Sequence, residues 1–151
     1  MNSTRKNYDG IELLVNESKE ELVKSVVTEV ESSKGEVLLL SSDRNSYLGL
    51  REKVFGYSED CSELLTWLEY SIEKRISTKS ECNSALSVFL DLNDLKPEYS
   101  HELHETRRRL LSVCSLSKYI NIHPVIFGVV MLSEAFINAV EVIKWCIPNQ
   151  Y

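Results

Sequence analysis

The chain has 151 residues, enough for one domain with a sizeable core and too few for two comfortable ones. Hydrophobic residues make up 43% and charged residues 26%, with 5 Gly and 3 Pro, which excludes the disordered and fibrous classes. A net charge of −6 excludes the basic footprint that nucleic acid or an anionic membrane surface requires, so a protein partner is expected.

Met1 to Tyr8 is polar and lacks the apolar core of a signal peptide; residues 1–9 read as a flexible N-terminal tail, and a reducing cytoplasm is the expected location. Cys61, Cys82, Cys114 and Cys146 are far apart in sequence and form no CxxC pair, so they read as reduced, buried thiols rather than a zinc or redox site.

The first apolar run, Ile11 to Val15, has the length of a strand. Ser18, with Glu21 three residues on, forms a capping box, and Leu22, Val23, Val26, Val27 and Val30 make the buried stripe of a helix that stops at Gly35. Val37 to Leu40 is the second strand. A helical insertion over residues 43–80 follows, with a short helix over Tyr47 to Phe55. A longer helix opens at Ser58, its buried face carrying Cys61, Leu64, Leu65, Leu68, Ile72 and Ile76. Leu86 to Leu90 is the third strand. Pro97 suits the first position of a helix that reaches about Ser117, Val125 to Leu132 is the fourth strand, and Ser133 caps a last helix through Phe136, Ile137, Val140 and Ile143.

The resulting order, β-α-β-α-α-β-α-β-α, predicts a single α/β domain over residues 1–151, a doubly wound parallel sheet with helices on both faces. The competing reading is an all-α bundle in which Pro124 to Cys146 is one long helix. The apolar stretch from Ile120 to Ile147 carries His123, Glu134, Asn138, Glu141 and Lys144, which argues against a membrane span.

Sites in such sheets stand at the carboxyl ends of the strands. The first run leads into Asn16-Glu17-Ser18-Lys19 and the third into Asp91-Leu92-Asn93-Asp94. Carboxylates from two neighbouring strands there could hold a divalent cation. Ile11 to Lys19 resembles the opening of a response-regulator receiver domain. Leu86 to Asn93 is similar to the family's third strand with its phosphoacceptor, and His123 to Phe127 to the lead into its fourth. The resemblance implies a flavodoxin-like sheet, Asp91 as phosphoacceptor, and a Mg2+ site formed by Glu17, Asp91 and Asn93. It also implies a histidine kinase or downstream signalling protein as partner. Val129 and Ile147 stand where the family places a hydroxyl residue and a lysine, so the resemblance points to a pseudo-receiver, not an enzyme, that acts through protein–protein contact in two-component signalling.

Other residues bear on partners. Arg107 falls inside the apolar stripe of its helix, between Leu103 and Leu110, so it needs a carboxylate or carbonyls or else marks an interface. Glu105 and Arg109 have the spacing of a surface ion pair. His101 and Glu105 share a helix face without a further ligand, and His123 reads as a loop residue. Trp145, with Asn138 and Glu141, is the candidate contact surface on the last helix, Trp67 is a second aromatic anchor, and a homodimer is left open. Two further readings stand beside the receiver: an acidic helical inhibitor of the immunity type, and a small metal enzyme using Asp91 and Glu17.

Overall fold

The computed structural model describes residues 4–8, 10–15, 18–32, 36–47, 55–78, 84–92, 100–117, 119–128 and 133–146. The strands are β1 (Thr4–Tyr8), β2 (Ile11–Val15), β3 (Glu36–Ser41), β4 (Phe55–Tyr57), β5 (Leu86–Asp91) and β6 (Ile122–Phe127). The helices are α1 (Lys19–Ser32), α2 (Cys61–Ser77), α3 (Ser100–Ser117) and α4 (Glu134–Cys146), with a 3-10 turn at Asn45–Tyr47. One six-stranded sheet runs β1-β2-β6-β5-β3-β4, parallel except for β1. This is a doubly wound α/β fold and not an all-α bundle.

The apolar runs are strands because both of their faces are covered. Ile11, Leu13, Leu40, Val88, Leu90 and Ile126 face one core, closed by α2, α3 and α4 through Leu64, Leu68, Leu110, Cys114, Phe136 and Val140. Leu14, Val37, Leu39, Phe89, Val125 and Phe127 face the other, closed by Leu22 and Val26 of α1 and by Tyr47. Adjacent residues such as Leu39 and Leu40 thus enter opposite cores, the period-2 alternation of a strand buried on both sides.

Several caps are those the sequence predicts. Ser18 Oγ accepts from the Glu21 N–H at 3.2 Å, and Ser133 Oγ accepts from the Phe136 N–H at 3.2 Å. The cap of α2 is Asp60 rather than Ser58: its side chain accepts from the Ser62 N–H, while Ser58 Oγ accepts one turn earlier from Asp60.

The tail expected over residues 1–9 is corrected at Thr4–Tyr8, which pair antiparallel with β2 from Tyr8↔Ile11 outward. Gly10 takes φ +100° in that two-residue turn, a conformation that favours glycine. The insertion expected to be helical over residues 43–80 also contains β4, paired with β3. Of the short helix expected over Tyr47 to Phe55, Tyr47 closes the 3-10 turn and Phe55 opens β4; residues 48–54 lie outside the described residues, as do Gly35, Pro97, Val129 and Ile147. The fourth strand spans Ile122–Phe127 and has ended at Gly128; residues 129–132 of the expected run lie outside the described residues.

Pro124 stands inside β6, between two neighbours. Phe127 C=O accepts from the Leu92 N–H, so alternate residues of β6 turn their backbone groups toward β5 and Pro124 turns away from it. The register with β2 begins only at Val125, so the missing N–H of the proline falls where no bond to β2 has started.

Just beyond β6, Gly128 is buried against the Leu92 backbone; a Cβ there would stand 3.1 Å from both the carbonyl carbon and oxygen of Leu92. Gly128→Ala is therefore expected to cost on the order of 1–3 kcal/mol, read from urea unfolding, because backbone cannot swing aside as a flexible side chain can. No helix among the described residues is long and apolar enough to cross a membrane.

Candidate functional site

The parallel strands, counted along the chain from β2, lie in the order 1-5-4-2-3, which differs from the 2-1-3-4-5 order of a receiver. One consequence reaches the site: β6 lies between β2 and β5, so the carboxyl ends of β2 and of β5, which carries Asp91, are not neighbours. The neighbours of Asp91 across the ladders are Ser41 of β3 and Phe127 of β6. From β5 the chain leaves toward the face covered by α3, and from β3 toward the face where Tyr47 packs, so the gap between Asp91 and Ser41 is a topological switch point.

Asp91 is 1% exposed. Its carboxylate accepts from Lys19 Nζ and, at 2.7 Å, from the Tyr47 hydroxyl. Lys19 reaches it because α1, on its way from β2 to β3, starts above the carboxyl ends of β6 and β5. The first residue of the helix therefore stands over the switch point. Asp43 holds the same ammonium from the β3 side at 3.2 Å, and the rings of Tyr47 and Phe127 lie 5.8 and 5.6 Å from it. Two carboxylates and two aromatic rings thus surround one internal cation.

Asp43 is itself fixed by a small turn. Ser41 Oγ accepts from its N–H at 2.9 Å, and Asp43 accepts from the Ser46 N–H at 3.2 Å and the Ser46 hydroxyl at 2.6 Å. Burial pushes the Asp43 carboxyl upward, but the Ser46 hydrogen bonds and Lys19 outweigh it and hold the group below its ordinary value of 3.8. A carboxyl held low in the folded state stabilises the fold above its unfolded pKa and loses that contribution as pH falls through the folded value. Asp43→Asn is therefore expected to reduce the acid-side loss of stability below about pH 4, seen as a shallower fall of Tm with pH than in the wild type.

Glu17 and Asn93, the other residues of the expected Mg2+ set, lie outside the described residues, as does Asn16. Arg107 is half-buried on α3 and engaged rather than free. The crossing contact to α2 is made by Arg109, which donates to Glu69 (3.1 Å from Nε) and to Ser62 and Thr66 at 3.0 and 3.3 Å. Glu105 pairs with Arg108 one turn on and not with Arg109, since the guanidinium of Arg109 is already committed between helices. Asn138 and Glu141 are exposed on α4; the side chain of Trp145 lies outside the description. Trp67 is half-buried, packed against the core and over Gly56 of β4. His123 is an exposed residue of β6 rather than a loop residue.

Sequence reasoning missed Lys19, Tyr47 and Asp43. Lys19 and Asp91 are 72 residues apart, beyond any local spacing rule. It also missed Arg75, which is 3% exposed and donates to the carbonyls of Ser84 at 3.1 Å and Ile120 at 2.8 Å. Arg75 lies three residues after Ile72 and seven after Leu68, so the helical period could have placed it in the stripe, where Ile76 was expected instead; Ile76 is 53% exposed.

Cys61 and Cys114 are free thiols. Burial pushes Cys61 up to about 11, only partly offset by a hydrogen bond with Thr106 and by Arg109, and it pushes Cys114 up to about 12. Both stay protonated near neutral pH, so iodoacetamide is expected to label them in urea and to leave both largely unmodified in the folded protein, as peptide mass mapping would show. No family model, curated protein or solved structure matches the chain.

Proposed function

We propose that the chain is a non-catalytic α/β interaction domain that works in the manner of a pseudo-receiver: it presents surfaces to a signalling partner and does not turn over a phosphoryl group. The observation that carries this reading is the ion pair of Lys19 with the buried Asp91. A phosphoacceptor has to offer a carboxylate oxygen to an incoming phosphorus. Asp91 is 1% exposed, and one of its oxygens is already engaged by an ammonium and a phenol hydroxyl.

The sequence lacks the family's lysine at Ile147, yet Lys19 supplies a cation from a different element. That cation neutralises the unmodified carboxylate, and Asp43 shares it. The Lys19 ammonium stands between the Asp43 and Asp91 carboxylates, so a divalent ion bound to that pair would first have to displace it. The acidic-inhibitor reading loses its helical scaffold to the sheet; its negative surface remains compatible with a binding role.

Incubation with acetyl phosphate and Mg2+, followed by intact mass measurement, tests the proposal. The expected result is no gain of mass. Addition of one phosphoryl group, lost in Asp91→Ala, would restore a working phosphoacceptor and overturn it.

A further inference from the structure

The crevice at the strand ends separates into a lining and a guest. Its floor is the buried Asp91 carboxylate at the end of β5, and one wall is Phe127, the ladder neighbour of Asp91 at the end of β6. The second ring, Tyr47, and the second carboxylate, Asp43, come from the segment that follows β3. Only the cation comes from elsewhere, carried in by the first residue of α1. The lining holds its shape through bonds in which the guest takes no part. The Tyr47 hydroxyl donates to Asp91 at 2.7 Å, the Ser46 N–H and hydroxyl both donate to Asp43, and the Asp43 N–H donates to Ser41 Oγ. Both rings are fixed in the core closed by α1. Withdrawal of the Lys19 side chain would therefore remove the guest and leave every described group of the lining in place, the preorganisation that keeps the ordering cost of binding low.

The lining also selects the guest. Two separate carboxylates call for a cation that donates hydrogen bonds in more than one direction, which a primary ammonium does and a quaternary ammonium cannot. Ring centroids at 5.8 and 5.6 Å from the nitrogen add cation–π attraction and an apolar surface for a short aliphatic stem. The Lys19 and Asp43 side chains keep 25% and 18% of their surface exposed, so the crevice opens to solvent beside them, while Asp91 closes its inner end.

We propose that the crevice between Asp91 and Asp43 is a binding site for small aliphatic primary ammonium ions that the chain fills with its own Lys19, so that an outside amine enters only when that side chain withdraws. A tethered group meets its site at an effective concentration far above that of a dilute free amine, so the wild type stays self-occupied. The proposal goes beyond the interaction role argued above and shares only the ion pair with it. Its test contains no phosphoryl donor, so a phosphorylated Asp91 would overturn that reading and leave this one standing.

The test is thermal unfolding of the full chain at constant ionic strength, with sodium chloride replaced stepwise by n-propylammonium chloride. Lys19→Ala deletes the side-chain carbons beyond Cβ and the ammonium, and n-propylammonium is that missing piece. The Tm of Lys19→Ala is expected to rise saturably, by about 3–5 °C once the amine exceeds its Kd by about tenfold. Tetramethylammonium is expected to leave this variant unmoved, and n-propylammonium to leave the wild type unmoved over the same range. Asp91→Asn added to Lys19→Ala is expected to weaken the apparent affinity by about tenfold, the size of one charge-assisted hydrogen bond. Should Lys19→Ala be unfolded in sodium chloride alone, n-propylammonium is expected to restore its helices by far-UV circular dichroism. An absent or unsaturable shift, an equal shift with tetramethylammonium or in the wild type, undiminished affinity in the double variant, or failure of the amine to refold an unfolded Lys19→Ala would each overturn the proposal.

Discussion

Lys19→Met is expected to lower the unfolding free energy by about 2–3 kcal/mol, a shift in urea midpoint large enough to read without ambiguity. Removing one partner of a fully buried ion pair costs about 3–5 kcal/mol, because the remaining charge is left in a poor solvent. Here Asp91 is 1% exposed while Lys19 is 25% exposed, so water relieves part of that cost and the lower range applies. Asp91→Asn is expected to cost less, about 1–2 kcal/mol, because an amide oxygen still accepts from Tyr47 and the ammonium keeps Asp43. If Lys19→Met changed stability by less than about 0.5 kcal/mol, the pair would be behaving as an exposed one.

Arg75→Met should be the most damaging substitution away from the site, at about 3 kcal/mol. The guanidinium ties the C-terminal turn of α2 to the carbonyl of Ser84, which leads into β5, and to that of Ile120, which leads into β6, with Glu36 of β3 at 3.7 Å. One side chain therefore fixes the amino-terminal ends of three adjacent strands. Methionine fills much of the volume but takes the Arg75 donor away from the buried carbonyl of Ile120, as well as from that of the exposed Ser84. Arg75→Lys is expected to recover less than half of the loss, because an ammonium lacks the planar fork that reaches both carbonyls together. Urea unfolding of the two variants, followed by far-UV circular dichroism, measures both values.

The sequence made the core legible wherever burial was two-sided. Ile11–Val15, Glu36–Ser41, Leu86–Asp91 and Ile122–Phe127 contain unbroken apolar runs because each lies under helices on both faces, and such runs have no other use in a chain this charged. The two strands that escaped notice are the edges. β1 is polar because one of its sides faces no strand, though Asp9-Gly10 between it and β2 is a hairpin signature that could have revealed it. β4 has only Phe55, Gly56 and Tyr57, too short to show an apolar run, and a Cβ at Gly56 would stand 2.7 Å from a terminal methyl of the Leu40 side chain.

At the site, Asp91 was legible from its place at the end of an apolar strand, and its environment was not. Strand order is decided by contacts between distant segments, so nothing local reveals that β6 separates β2 from β5 or that α1 starts above Asp91. A lysine in the first turn of a helix reads as solvated, and it opposes the helix dipole there. The pairing with two carboxylates is what makes Lys19 acceptable at that position.

A double-mutant cycle on Lys19 and Asp91, with Lys19→Met, Asp91→Asn and the double variant unfolded in urea at neutral pH, tests most directly whether the chain neutralises its own strand-end carboxylate. A coupling energy of about 1.5–3 kcal/mol that persists in 0.5–1 M salt (roughly, enough to screen surface pairs) is the predicted result. Additive single effects, or a coupling that salt abolishes, would contradict it.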